Sequence, residues 1–220
     1  MSEKLTRLER VDAVAVLTLD RAAKRNALSR ALREELVARL CALEKDEVVR
    51  AVVLTGDGPV FCAGFDRSEL EAGDMVEVFA DSMAYHHCVY TFGKPLVVAV
   101  NGAALGGGCD LAAMCDIRLA ASHAVFGQPQ VRFGAAAAYD LMREVMPEGA
   151  AREMCATGRS YGAAEAHALG LVNAVHEPEA LIGAALELAH SIAALPGELP
   201  ATAKQQFLSH QPRLFDPGAG

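Results

Sequence analysis

The sequence predicts an α/β layer fold with largely parallel strands. Short apolar runs of strand length alternate with helical stripes through the first half, as in strand–helix–strand units. With 220 residues and 52% hydrophobic content, the chain is expected to bury roughly 70% of its unfolded surface without metal or disulfide support. That size predicts one domain with a small appendage.

The elements follow in order. Residues 14–19 read as a strand rich in β-branched residues and leucine, ending at Asp20. Leu28, Leu32, Leu36, Leu40 and Leu43 recur at helical steps, with Ser29 placed to cap. Residues 51–55 form a second strand, stopped by the Gly56-Asp57-Gly58-Pro59 turn. A helix over 75–92 carries Phe79, Met83, His87 and Tyr90 on one stripe, and Gly93 and Pro95 end it. Residues 96–100 are a third strand, 110–115 a helix opened by glycines, and 117–120 a fourth strand. The second half reads as helical, over 150–157, 163–169 and 179–194. The tail from Pro212 to Gly220, with two prolines and two glycines, reads as loosely held.

Composition narrows the function classes. The 28 acidic and 20 basic side chains leave a net charge of −8, which argues against a protein that tracks nucleic-acid phosphates. No apolar run reaches spanning length, and the first residues lack the apolar core of a secretory leader, so a cytoplasmic protein is expected. The six cysteines (41, 62, 88, 109, 115, 155) contain no Cys-x-x-Cys pair and read as reduced core thiols. No His-x-x-x-His spacing suggests a metal site.

Two glycine-bearing turns carry the chemistry. In Asn101-Gly-Ala-Ala-Leu-Gly106-Gly107-Gly108-Cys109-Asp110, three glycines lie between a buried strand and a helix start. Bare backbone and unpaired helix-start N–H groups suit a developing negative charge, although a tight structural turn would look the same. The pattern is not the dinucleotide fingerprint, because Leu111 stands where the third glycine belongs, and no Gly-Lys-Ser/Thr phosphate loop is present. Phe61-Cys62-Ala63-Gly64-Phe65-Asp66 also follows a strand and a turn. Two such turns at one sheet edge can converge on a ligand.

Together with Leu17-Thr-Leu-Asp-Arg-Ala-Ala-Lys24-Arg25-Asn26-Ala27-Leu28, Phe126-Gly127-Gln128-Pro129 and Gly170-Leu171-Val172, these segments resemble the crotonase (enoyl-CoA hydratase/isomerase) superfamily, in order over about residues 11–175. The resemblance implies a spiral of ββα repeats with a helical C-terminal part: a core over 1–175, then a short helical segment and flexible tail over 176–220. It implies a trimer or a pair of trimers. It also implies a coenzyme A thioester as substrate, with no separate cofactor. By position, the N–H groups of Phe65 and Gly107 would hold the thioester oxygen. Lys24, Arg25, Ala27, Ala63 and Asp66 would complete the thioester-binding set, with Lys24 and Arg25 toward the nucleotide.

The sequence departs from the family at the acid–base positions. The first family glutamate is matched by Asp110, one methylene shorter. The second is matched by Gln130, an amide that orients a partner but exchanges no proton near neutral pH. Asp140, after the Gly134-Ala-Ala-Ala-Ala stretch, is expected either to supply the missing carboxylate or to be an ordinary first-turn helix acid. His86 and His87 flank the expected acyl pocket and are read mainly as structural; Phe65, Met83 and Tyr139 are candidates for its lining. The chain also ends earlier than most of the family. The expected function is acyl-CoA processing with one carboxylate, favouring isomerisation, decarboxylation or thioester hydrolysis over hydration. The alternative is an inactive acyl-CoA-binding or accessory protein. A Clp-type serine protease, which shares this architecture, would need a Ser-His-Asp set, and no serine lies in or beside the two glycine turns.

Overall fold

The computed structural model describes residues 4–72 and 75–216. The chain opens with β1 (Thr6–Val11) and β2 (Val14–Leu19), an antiparallel pair. Then come α1 (Arg30–Lys45), β3 (Ala51–Gly56), α2 (Arg67–Ala72), α3 (Met75–Tyr90) and β4 (Leu96–Val100). The centre of the chain holds β5 (Ala104–Leu105), α4 (Gly107–Ala113), β6 (Ile117–Ala121) and β7 (Val125–Gly127). Next are α5 (Tyr139–Val145), α6 (Glu148–Thr157), β8 (Ser160–Gly162) and α7 (Ala163–Ala168). β9 (Ala174–His176), α8 (Pro178–Ala193) and α9 (Leu199–His210) complete it.

The main sheet runs β1-β2-β3-β4-β6-β9, and every pair beyond β1 is parallel. Val16, Val53, Val97 and Ile117 pair in one row across four strands. β2 and β4 are buried at every residue, as expected of parallel strands covered on both faces. α8 lies across the sheet, and α1 packs on α3. A second, small sheet, β5-β7-β8, stands beside the main one. The alternation and parallel pairing expected from the sequence are therefore present.

Several boundaries differ from expectation. β1, β5, β7, β8, β9, α2, α5 and α9 were not foreseen, and the second half is not purely helical. α4 begins on the glycines, at Gly107 rather than Asp110. The helix stripe includes Phe79, whose side chain lies outside the described residues. The tail is docked at least through Asp216: Phe215 sits edge-on to Tyr90 with ring centroids 5.3 Å apart, and Gln211 donates to the Tyr90 carbonyl. All six cysteines are free thiols, but Cys41 is exposed rather than in the core. Among the described residues no helix is long and apolar enough to cross a membrane, and no His/Cys/Asp/Glu group could hold a metal.

One polar contact pins α9. Lys204 is fully buried and places Nζ 2.7 Å from Asp116 Oδ1, while Asp116 Oδ2 accepts the Leu96 N–H that starts β4. Removing one partner of a buried ion pair strands the other. Lys204→Met should therefore lower unfolding stability by about 3 kcal/mol. Adding Asp116→Asn should return part of that loss, both read from urea midpoints.

Candidate active site

The parallel strands deliver two loops to the same edge. After β3, residues 62–66 run between two neighbours. On one side Cys62 N–H donates to Ala103 O and Leu105 N–H to Cys62 O. On the other, Ala63 N–H donates to Arg25 O and Leu28 N–H to Gly64 O, with Asp66 N–H reaching Leu28 O at 3.5 Å. The bridge that pairs Leu28 with Phe65 uses the groups on either side of Phe65. In such a bridge the paired residue's own N–H and C=O face away from the partner, so the Phe65 N–H does not face the 25–28 segment.

Glycine makes this approach possible. Gly64 has φ +91°, and a Cβ there would lie 2.7 Å from Leu105 O and 3.2 Å from Gly107 N. At Gly108 a Cβ would fall 2.2 Å from Cys62 O, so the first turn of α4 rests directly on the 62–66 segment. Gly107 and Gly108 precede the first closed bonds of that turn, which run from Cys109 and Asp110 N–H to Gly106 O.

A cavity of about 550 Å³ opens at this junction. Ala63, Phe65, Gly107, Asp110 and Gln130 all line it, so the structure brings together five of the residues singled out from sequence. Asp110 is buried on α4, and burial pushes its carboxyl up to about 7, against the opposing pull of a hydrogen bond from Gln128. That bond runs from Gln128 Nε2 to Asp110 Oδ1 at 2.7 Å. Gln130 Nε2 in turn donates to Gln128 Oε1, while Gln130 Oε1 is buried without a partner among the described residues. Among the described residues the only other carboxylate of the lining, Glu71, is exposed and 3.5 Å from Arg67.

The remaining expectations divide. Asp140 is exposed in the first turn of α5, where a helix-start acid belongs, and is not among the described residues that line the cavity. Its neighbour Tyr139 also lies outside the lining; its hydroxyl donates to Glu148 Oε1 at 3.1 Å. Met83 does line the cavity. Lys24 and Arg25 are exposed beside the rim, on a 3-10 turn whose Arg25 carbonyl holds Ala63. Asp66 and Ala27 serve as anchors away from the lining. Arg21 Nη1 lies 2.6 Å from Asp66 Oδ2 and 3.0 Å from Ala27 O. Burial opposes the Asp66 charge, but hydrogen bonds from Ser68 and Arg21 hold its carboxyl below the ordinary value. Asn26, fully buried at φ 52°, accepts from Arg21 N–H and donates to the Asp57 and Val60 carbonyls, locking the two loops together.

Some contributors escaped sequence reasoning. Gln128 was visible only as part of a motif; its wholly buried position is what makes its amide matter. His86, read as structural, lines the cavity, and Phe215 from the tail stacks on it at 5.0 Å. His87 does not line the cavity; its Nδ1 lies 3.7 Å from Asp216 Oδ1.

Comparison with known proteins identifies the family. The family model described as enoyl-CoA hydratase/isomerase matches residues 9–212. The short-chain-enoyl-CoA hydratase of Clostridium acetobutylicum is 37% identical over 194 residues, 84% of this chain and 74% of that protein. The 2,3-dehydroadipyl-CoA hydratase of Escherichia coli is 37% identical over 198 residues, 88% of this chain and 76% of that protein. The crystal structure of an enoyl-CoA hydratase from Mycobacterium smegmatis superposes with a TM-score of 0.90 at 32% identity, covering 96% of this chain and 86% of the other. The chain belongs to the enoyl-CoA hydratase/isomerase family of the crotonase superfamily and is an enzyme of that kind, with its particular reaction left to its own residues.

Proposed function

We propose that this enzyme binds an acyl-CoA thioester and moves a proton on its acyl chain with one carboxylate, Asp110. The thioester oxygen would take the N–H groups of Phe65 and Gly107, two main-chain donors from separate loops. Such donors strengthen as enolate charge develops, and each is worth roughly 3–4 kcal/mol where water is excluded. The observation that carries the reading is the placement of Asp110: among the described residues it is the single buried carboxylate of the lining, on the helix that begins with Gly107.

A carboxyl with a pKa about 7 is well matched to general-base work at neutral pH. Gln128 occupies Oδ1, which leaves Oδ2 to receive a proton. Gln130 can orient a carbonyl or a water but supplies no proton. Hydration needs one group to take a proton from water and a second to deliver one to carbon, so this arrangement disfavours it. Double-bond isomerisation needs only one shuttle. Asp110 would remove the proton between the thioester carbonyl and a β,γ double bond, and the electrons would move into the dienolate held by the two amides. The same proton would return at the γ carbon. Gln130 also favours a second reading, an acyl-CoA binder without turnover. That reading gains if acyl-CoAs bind and no thioester substrate is converted.

The test compares a β,γ-enoyl-CoA, followed by appearance of conjugated enoyl absorbance, with crotonyl-CoA, followed by its loss. Isomerisation should be the faster activity, and Asp110→Asn should reduce it by about 10²–10⁴-fold. Normal-range turnover surviving in Asp110→Asn would remove Asp110 from the mechanism. For the wild type, kcat/KM should rise with pH through about 7 as Asp110 ionises.

Stability should move oppositely. Between the ordinary carboxyl value of 3.8 and about 7, the folded state holds a proton that the unfolded chain releases, so Asp110's contribution favours folding at low pH and is lost as pH rises through that window. Asp110→Asn removes the buried charge. Its Tm should exceed the wild type's at pH 8, with the difference shrinking toward pH 4, in scanning calorimetry.

A further inference from the structure

We propose that Arg33 is a positioning residue for the thioester oxygen: its guanidinium fastens both halves of the bridge between Leu28 and Phe65, and so fixes the Phe65 amide; this rests on the two-amide reading above. Arg33 closes the first turn of α1 and is only 3% exposed. Helix side chains lean toward the N-terminus, which brings its Nη1 back to the Leu28 carbonyl at 2.7 Å. The guanidinium carbon of the same side chain stands 5.2 Å from the centre of the Phe65 ring, within cation–π range. Leu28 and Phe65 are the two residues that the bridge pairs. One buried cation therefore touches both partners, and Leu28 in turn donates its N–H to Gly64 O.

Packing alone does not account for an arginine at this point. Position 33 adjoins the leucine stripe and is buried with it, so an apolar side chain would fill it without desolvating a charge. The positive end of α1 disfavours a cation further. Glu69 of α2 offsets part of that cost: its carboxylate accepts the Arg30 N–H at 2.8 Å and lies 3.4 Å from Arg33 Nη1. Arg33 is not among the described residues that line the cavity, whereas Phe65 is, so Arg33 acts through the ring. That ring also lies against Gly107, where a Cβ would fall 2.9 Å from Phe65 Cδ2 and Cε2. It thus links the buried cation to the backbone of the second donor. A preorganised donor loses much of its effect when displaced, so the clamp serves chemistry as well as folding.

Infrared difference spectra of bound hexanoyl-CoA, labelled with carbon-13 at the thioester carbonyl, read the donors directly, because hydrogen bonds to the oxygen lower its stretching frequency. The wild type should show that lowering. Arg33→Met, which keeps the length and removes charge and donors, should lose about half of it or more, while calorimetry finds hexanoyl-CoA affinity within about threefold. With a β,γ-enoyl-CoA, its kcat should fall about 10–100-fold and KM should change little. Arg33→Lys keeps a charge that can reach Leu28 O but loses the planar stack on Phe65, and should fall between the two. Glu69→Gln leaves Arg33 in place and should keep the wild-type frequency. Wild-type frequency and kcat in Arg33→Met, even with a lowered Tm, would make Arg33 purely structural and overturn the inference. So would Glu69→Gln losing as much as Arg33→Met. If Arg33→Met does not fold, a wild-type frequency in Arg33→Lys overturns it instead. No lowering in the wild type with hexanoyl-CoA bound would defeat the two-amide reading, and absence of binding the acyl-thioester reading; this inference falls with either.

Discussion

The site depends on the main-chain ladder that holds residues 62–66. The main sheet's β3 and β4 end at Gly56 and Val100, yet the segments that follow stay hydrogen-bonded to one another through Cys62, Ala103 and Leu105. The 25–28 segment closes the other side. Because every rung is backbone, the ladder places the Phe65 and Gly107 amides without asking anything of their side chains. What it demands is close approach, and Gly64 and Gly108 meet that demand because any Cβ there would strike a carbonyl. Asn26 ties down the turns that feed the ladder, which explains a fully buried asparagine in the left-handed region.

A second constraint is electrostatic. A carboxylate buried beside a cavity costs more as its partners become fewer, and Asp110 has one amide. That amide can point its N–H₂ at Asp110 only because its own oxygen is occupied by the Gln130 side chain. An amide at 130 can donate to Gln128; a carboxylate there would accept only, and would favour the opposite orientation of Gln128, with an oxygen facing Asp110. Gln130 is thus more than the loss of a proton donor. It sets the polarity of a short amide chain that ends on Asp110.

The legible parts of the fold were those fixed by local pattern. β2, β3, β4 and β6 are apolar runs because both faces are covered, and α1 shows its leucine stripe because one face meets the core. β1 was hidden because it is an edge strand with only Thr6 buried, so Arg7, Glu9 and Arg10 disguise it as loop. β5, β7 and β8 are two or three residues long and exist through pairing with each other. The helix start at Gly107 was misplaced because glycine weakens a helix locally, whereas packing of Gly108 on Cys62 O secures it. At the site, the two turns and Asp110 were readable from order and spacing. Asp140 could not be resolved, since a first-turn acid and a pocket acid look alike until the helix is oriented.

The tail shows why one wall of the cavity is harder to read than its glycine floor. Proline and glycine around residues 212–220 describe a chain with little regular structure, and that description holds for the backbone over 212–216. It says nothing about one aromatic side chain finding a slot. Phe215 lies against His86 and Tyr90, and α3 supplies Ser82, Met83 and His86 to the same wall. The floor is built from backbone amides and glycines, where side-chain substitution is barred by contact. The wall is built from side chains on a helix face and a strap, where substitution alters shape and polarity without breaking the ladder. On the proposed reading, reaction class is tied to the ladder and Asp110, while the choice of acyl group varies with wall residues such as Met83, His86 and Phe215.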